Sequence, residues 1–240
     1  MTLAIYIKDD QNLEEIVNRT KKRDRIFSAA ISTVGLISIA FAAWPIIAWQ
    51  IFTVPFISSA IKNIPIPKGQ VLSAQSTIFQ NVQVAKDSDG FTYFTTNYKP
   101  NGYRPKEFTV SIPKLKISSA KTVVDNLDFY NNLSHFPGSA LPGEVGNVFI
   151  TGHSVLPQFT DTSNYQTIFS KLSDLEIGDV INVDSEGKNY QYIVQYKKIV
   201  DPHDLSVLGT ISKNAKNLTL MTCVPPGTSL KRMVVITSLI

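Results

Sequence analysis

With one cysteine in 240 residues, this chain cannot form an internal disulfide, so its stability must come from a packed core. Histidine occurs only three times, which leaves few imidazoles for acid–base work. There is no internal repeat and no low-complexity tract, and 18% charged against 43% hydrophobic residues is not the balance of a disordered chain. A net charge of +4 could point to nucleic acid, but its distribution argues otherwise. Residues 1–25 hold six Lys/Arg against five acids, 62–107 six against three, and 108–240 eleven against eleven. The excess lies outside the segment with the strongest folding signals, and no nucleic-acid partner is expected.

Charge is absent altogether from residues 26–61, "IFSAAISTVGLISIAFAAWPIIAWQIFTVPFISSAI", which also lack histidine over 36 positions. About 20 apolar residues span a bilayer, so one transmembrane helix is expected over 26–48. The run is too long for the core of a cleaved signal peptide, which needs roughly 7–15 residues. Lys21, Lys22, Arg23 and Arg25 precede it, whereas Lys62 and Lys68 are the nearest cations beyond it. That asymmetry predicts a single-pass protein with residues 1–25 in the cytoplasm and the bulk outside, with Trp44 and Trp49 near the outer interface.

Residues 49–107 change texture: "IPIPKG", "DSDG" and "NYKPNGYRP" are punctuated by proline and glycine. Only "QNVQVA" and "FTYFTT" have strand character, and the segment reads as an extracellular stalk or extension. Its aromatic residues Phe91, Tyr93, Phe94 and Tyr98 are many for a solvated linker, and folding over part of the next domain would give them cover. From 108 to 240 strand signals recur at short spacing. "FTVSIPKLKI" alternates, "NVFITGH" is a short apolar run, and "GDVINVDSEGKNYQYIVQYKKIV" predicts two strands around an "SEGK" hairpin. "LTLMTC" and "RMVVITSL" are two more, while "TIFSKLSDL" predicts a short helix and "DPHDLSVLG" a loop with a helical turn. Six to eight strands without long helices predict an all-β-dominated, closed or nearly closed barrel.

The lone thiol, Cys223, ends the strand "LTLMTC", and the turn-rich "VPPGTSLK" predicts that "RMVV" returns antiparallel, bringing Arg232 close to it. Cleaving a peptide bond through a thiol requires a proton donor for the departing amine and a group that holds the oxyanion. Arginine suits the second role because its guanidinium is permanently charged and offers donors in a fixed fork. For the first, His153 follows the apolar strand "NVFIT" and a glycine, a position that by itself fits a structural histidine better than a catalytic one, and His135 and His203 lie in loops as structural or solvated residues.

"HFPGSALPGEVGNVFITGHS", followed some 70 residues later by "LTLMTCVPPGTSLKRMVV", resembles the sortases, membrane-anchored cysteine transpeptidases of bacterial surfaces. The similarity covers roughly 108–240 and includes "SIPKLKI" and "LEIGDVINV". It implies an eight-stranded β-barrel with short helices, with Cys223 as nucleophile, His153 as general acid and Arg232 as oxyanion and substrate stabiliser. Thr151, Met221 and Thr222 are the candidate substrate-binding residues. The implied substrate is an LPxTG-like C-terminal sorting signal of a surface protein. The implied acceptor is an amine of peptidoglycan or a pilin lysine, and no metal or cofactor is expected. Ser154 stands where the family often has arginine, and no Asp-Pro-aromatic lid motif occurs in 62–107. An L,D-transpeptidase-like peptidoglycan cross-linker is a rival reading, but its glycine before and arginine two after the cysteine are missing from "MTCVP". A non-catalytic anchored β-domain with a buried, inert Cys223 is the other.

Overall fold

Two kinds of periodicity divide the chain, an unbroken apolar run and then short alternating segments, and two separate units result. The computed structural model describes residues 10–52, 81–86 and 92–240, and the chain divides into Met1–Ile51 and Phe52–Ile240. Residues 53–80 and 87–91, which carry "IPIPKG", "DSDG" and Phe91, lie outside the described residues, as does the side chain of Trp49. The described residues of the first unit belong to one α-helix, α1 (Asp10–Phe52). Its stretch Asp24–Trp44 is 21 residues long with mean hydropathy 2.1, about 31 Å of helix, which fits a membrane anchor. Ile31, Leu36, Ile39, Phe41 and Trp44 are all exposed along it.

The second unit is built on a closed barrel of eight strands. They are β3 (Glu107–Ile112), β4 (Ile117–Val123), β5 (Leu133–His135), β6 (Gly146–Thr151), β7 (Val180–Ser185), β8 (Lys188–Val200), β9 (Lys216–Val224) and β10 (Lys231–Leu239). The order around the barrel is β10-β8-β7-β3-β4-β5-β6-β9. Closure leaves no edge strand open to pairing with another chain. The predicted "SEGK" hairpin joins β7 to β8. Glu186 and Gly187 both have positive φ, 52° and 75°, the backbone of a type I′ turn whose twist matches the flanking strands. Ile112, Leu133, Phe149, Ile150, Leu172, Ile181, Leu218 and Leu220 are fully buried.

The predicted helix over "TIFSKLSDL" shortens to a 3-10 turn at Leu172–Asp174. The reason is local competition for the backbone. Thr167 Oγ1 and Ser170 Oγ donate to the carbonyls of Asn164 and Thr167, and Phe169 N–H donates to the carbonyl of His153 at 3.0 Å instead of one four residues back. Short hydroxyl side chains offer such alternatives to helix bonds. Within the segment expected as stalk or extension, β1 (Val82–Lys86) and β2 (Thr92–Thr96) pair as an antiparallel hairpin. Val82 and Phe94 are buried in one cluster with Phe136, Phe149, Met221, Val234 and Ile236, each contributing about 2 kcal/mol by burial. Phe94, of the aromatic residues in this segment, thus finds cover on the barrel.

At the end of β5, a half-buried ion pair caps a fully buried histidine. Arg104 pairs with Asp125 through Nε at 2.6 Å and donates to the Ser139 carbonyl at 2.8 Å, and Asp125 Oδ1 accepts from Gly138 N–H. His135, fully buried, has its Nε2 at 2.9 Å from the Ala140 carbonyl and its Nδ1 at 3.3 Å from the Asp125 N–H. Those partners demand a neutral ring with the proton on Nε2, because the Asp125 N–H needs a lone pair on Nδ1. Burial pushes the imidazole down to about 4. A folded value below the unfolded one means that the unfolded chain binds the extra proton, so this stability is complete above about pH 6.5 and is lost as pH falls towards 4. The total is about 3 kcal/mol. Denaturant unfolding of the soluble domain at pH 7 and pH 5 is expected to show a loss of about 2 kcal/mol from this group, and His135→Gln should flatten that slope.

Candidate active site

The parallel pairing of β6 with β9 runs in register from Gly146↔Lys216 to Thr151↔Met221. Two residues beyond each end stand His153 and Cys223, so the same register carried forward sets them side by side. On the other flank, β10 pairs antiparallel with β9 and Arg232 is the direct partner of Cys223. Directly opposed residues on neighbouring strands lie about 4.5–5.5 Å apart. The two ladders therefore converge a thiol, an imidazole and a guanidinium on one end of the barrel, and all three line a single pocket.

Past the last ladder pair, side chains take over from the backbone. Gly152 N–H donates to the Met221 carbonyl, Thr222 Oγ1 donates to the Gly152 carbonyl at 2.8 Å, and Ser154 Oγ donates to the Cys223 carbonyl at 2.6 Å. The segments 152–154 and 221–223 are thus clasped three times. Ser154, which stands where the resembled family often has arginine, tethers the residue that bears the thiol. Gly152 is the residue that permits this approach. A Cβ there would lie 2.6 Å from Phe169 Cδ2 and 2.8 Å from Leu133 Cδ2, and both side chains are fully buried.

Cys223 is partly exposed and free of any disulfide, unlike a thiol entombed in aliphatic packing. Arg232 is 2% exposed. Its NH1 donates to the carbonyls of Ser229 and Lys231, each at 3.0 Å, and its NH2 donates to the carbonyl of Thr92 in β2. The hairpin therefore forms one wall of the pocket through Thr92, Tyr93 and Phe94. The His153 ring sits against two others. Its centroid is 4.3 Å from that of Phe129 and 4.9 Å from that of Tyr130.

Among the candidate substrate residues, Thr151, Met221 and Thr222 all line the pocket. Thr222 commits its hydroxyl to Gly152, and Met221 also packs in the cluster with Phe94 and Phe149. His135 and His203 lie elsewhere: the first, expected in a loop, ends β5 as the buried partner of Ile150 in β6, and the second is exposed with its Nδ1 3.0 Å from Asp201. Sequence reasoning missed Thr92, Phe129 and Tyr130 as parts of this site. Among the described residues, no group of three His, Cys, Asp or Glu side chains is arranged to hold a metal ion.

A family model for the sortase domain matches residues 110–240. Sortase D of Bacillus subtilis (strain 168) is 26% identical over 113 residues, which cover 46% of this chain and 51% of the relative. The chain thus spans about half the length of that curated protein. A Clostridium perfringens sortase D5 transpeptidase of known structure is 27% identical, with a TM-score of 0.47, over 56% of this chain and 79% of the other. A lid mutant of sortase A from Corynebacterium diphtheriae is 29% identical, with a TM-score of 0.48, over 58% and 72%.

The close approach at Gly152 carries a test. Gly152→Ala is expected to destabilise the domain by about 1–3 kcal/mol through overpacking against Phe169 and Leu133, read by denaturant unfolding. An unchanged midpoint would mean that the two side chains give way freely.

Proposed function

The chain belongs to the sortase family, and from that premise we propose that it is a cysteine transpeptidase acting on LPxTG-like sorting signals of surface proteins. The observation that carries the reading is the convergence of Cys223, His153 and Arg232 on one pocket through two strand registers. The half-open setting of Cys223 favours it over an inert packing thiol.

In the proposed reaction the Cys223 thiolate attacks the threonine carbonyl of the signal, and the carbonyl electron pair moves onto oxygen. Arg232, a fixed cation with planar donors, stabilises that oxyanion. Collapse of the tetrahedral species breaks the C–N bond, and His153 delivers its proton to the departing glycine amine. The acyl group then rests on sulfur as a thioester. An incoming amine, deprotonated by His153, attacks that thioester, expels the thiolate and forms the new peptide bond. The thioester keeps the energy of the cleaved bond, so no nucleotide is consumed. A free thiol has pKa about 8.5 and a free imidazole about 6.5, so the reactive pair needs the thiolate and the imidazolium together.

Three of the five N–H donors of Arg232 go to carbonyls, those of NH1 to Ser229 and Lys231 and one of NH2 to Thr92, so the guanidinium keeps donors for this oxyanion. The apolar α1 fits a membrane anchor. With the basic residues at 21–25 held in the cytoplasm, the catalytic barrel would face outward. Enzyme and substrate would then meet within one membrane plane, with a peptidoglycan amine or a pilin lysine as acceptor.

Protein freed of residues 1–52, given an LPxTG-type peptide library and hydroxylamine, is expected to release the C-terminal fragment and form the hydroxamate. Cys223→Ala should abolish both products, and equal turnover by the two proteins would remove Cys223 from the reaction. Arg232→Lys keeps the charge but loses the planar fork, and a drop in kcat of about 100-fold is expected. Wild-type rates in that variant would remove the guanidinium from oxyanion stabilisation.

A further inference from the structure

The loop between β4 and β5 carries an aromatic pair that the mechanism above does not use. Phe129 and Tyr130 stack on each other, with ring planes 5° apart and centroids 6.2 Å apart. Both also contact the His153 ring, tilted at 50° and 55° to it. The loop is built to hold them. Asn126 Oδ1 accepts from Asp128 N–H, Asp128 Oδ1 accepts from Tyr130 N–H at 2.9 Å, and Asn132 Nδ2 donates to the Asp128 carbonyl at 2.9 Å. Tyr130 is 51% exposed, so core packing alone does not account for a large ring at this position.

We infer that Phe129 and Tyr130 are positioning residues that bracket the imidazole of His153 and stabilise its cationic form. The inference rests on the transpeptidase reading for its functional meaning, though not for its test. Both centroids lie inside the roughly 6 Å over which an aromatic face attracts a cation. The titratable and charged groups that share the pocket are Tyr93, Cys223 and Arg232, with Tyr130 in the bracket itself. Arg232 places a permanent positive charge in the same pocket, across Cys223 from a ring that must itself become positive, and that disfavours the imidazolium. Aromatic faces offset this without offering an acceptor that would capture the proton His153 has to deliver.

The test is an NMR titration of the His153 ring in soluble Cys223→Ala protein, where neither turnover nor the thiolate contributes. Phe129→Leu and Tyr130→Leu keep apolar cover but lose the ring face, and each is expected to lower the titration midpoint by about 0.5–1.5 pH units. Tyr130→Phe should leave it in place, because the face and not the hydroxyl acts. Midpoints unmoved in both leucine variants would overturn the inference. Should Phe129→Leu fail to fold, the half-exposed Tyr130 decides alone, and Tyr130→Trp, with a stronger face, should raise the midpoint. In the Cys223-containing enzyme, the leucine variants should shift the ionisation seen in the pH profile of kcat/KM, with Tyr130→Phe restoring the wild-type profile. A midpoint that falls in these variants while the protein that keeps Cys223 shows no cleavage activity would sustain the bracket and remove the transpeptidase reading.

Discussion

The register of one parallel strand pair sets the rest of the site. β6 and β9 keep step through Thr151↔Met221, and a slip of one residue would turn every side chain on the slipped strand to the opposite face. His153 and Cys223 lie just past the ladder, where strands ordinarily fray. The hydroxyl of Thr222 on Gly152 and that of Ser154 on Cys223 extend the pairing in side-chain form. Because β10 is bonded to the other flank of β9 with Arg232 opposite Cys223, one strand serves as the reference for both partners.

The barrel is legible from residue 107 onward because period-two alternation, short apolar runs and turn residues agree there. The type I′ turn at Glu186–Gly187 and the return of β10 after "VPPGTSLK" follow from local chemistry alone. Cys223 and Arg232 are legible for a related reason, since a readable turn joins the strands they end and begin, whereas nothing in "NVFITGH" names β9 as its neighbour and His153 is picked out only by its resemblance motif. "TIFSKLSDL" misleads because its apolar spacing is helical while its hydroxyls bond nearby carbonyls, and spacing does not register that competition. Phe129 and Tyr130 sit in "NLDFYNN", where no periodicity singles them out, and their role depends on a histidine more than twenty residues away. Ser154 can be read in the sequence only as a departure from a pattern. Its bond to the Cys223 carbonyl requires the fold.

The hairpin of β1 and β2 shows how an apparently loose segment becomes part of a site. Its strands are too short and too isolated to stand alone, since a two-stranded hairpin is marginal in water. Phe94, at 6.2 Å from Phe149 between ring centroids, anchors it to the barrel. Once seated, it presents the Thr92 carbonyl to the one guanidinium in the pocket. Arg232 is therefore satisfied by backbone oxygens while buried, which is how a cation tolerates removal from water.

The joining of β6 to β9 has a bearing on how this chain comes to life. Two parallel neighbours cannot be connected by a tight turn, and here the intervening chain includes all of β7 and β8, which pair elsewhere in the barrel. Such distant pairings carry a large loop-closure cost and form late and slowly. A partly folded chain would thus hold the Cys223 sulfur beside Arg232, brought up by the short β9–β10 turn, while the imidazole of His153 still lay apart from both. The meeting of thiol and imidazole is thus among the last things this fold completes.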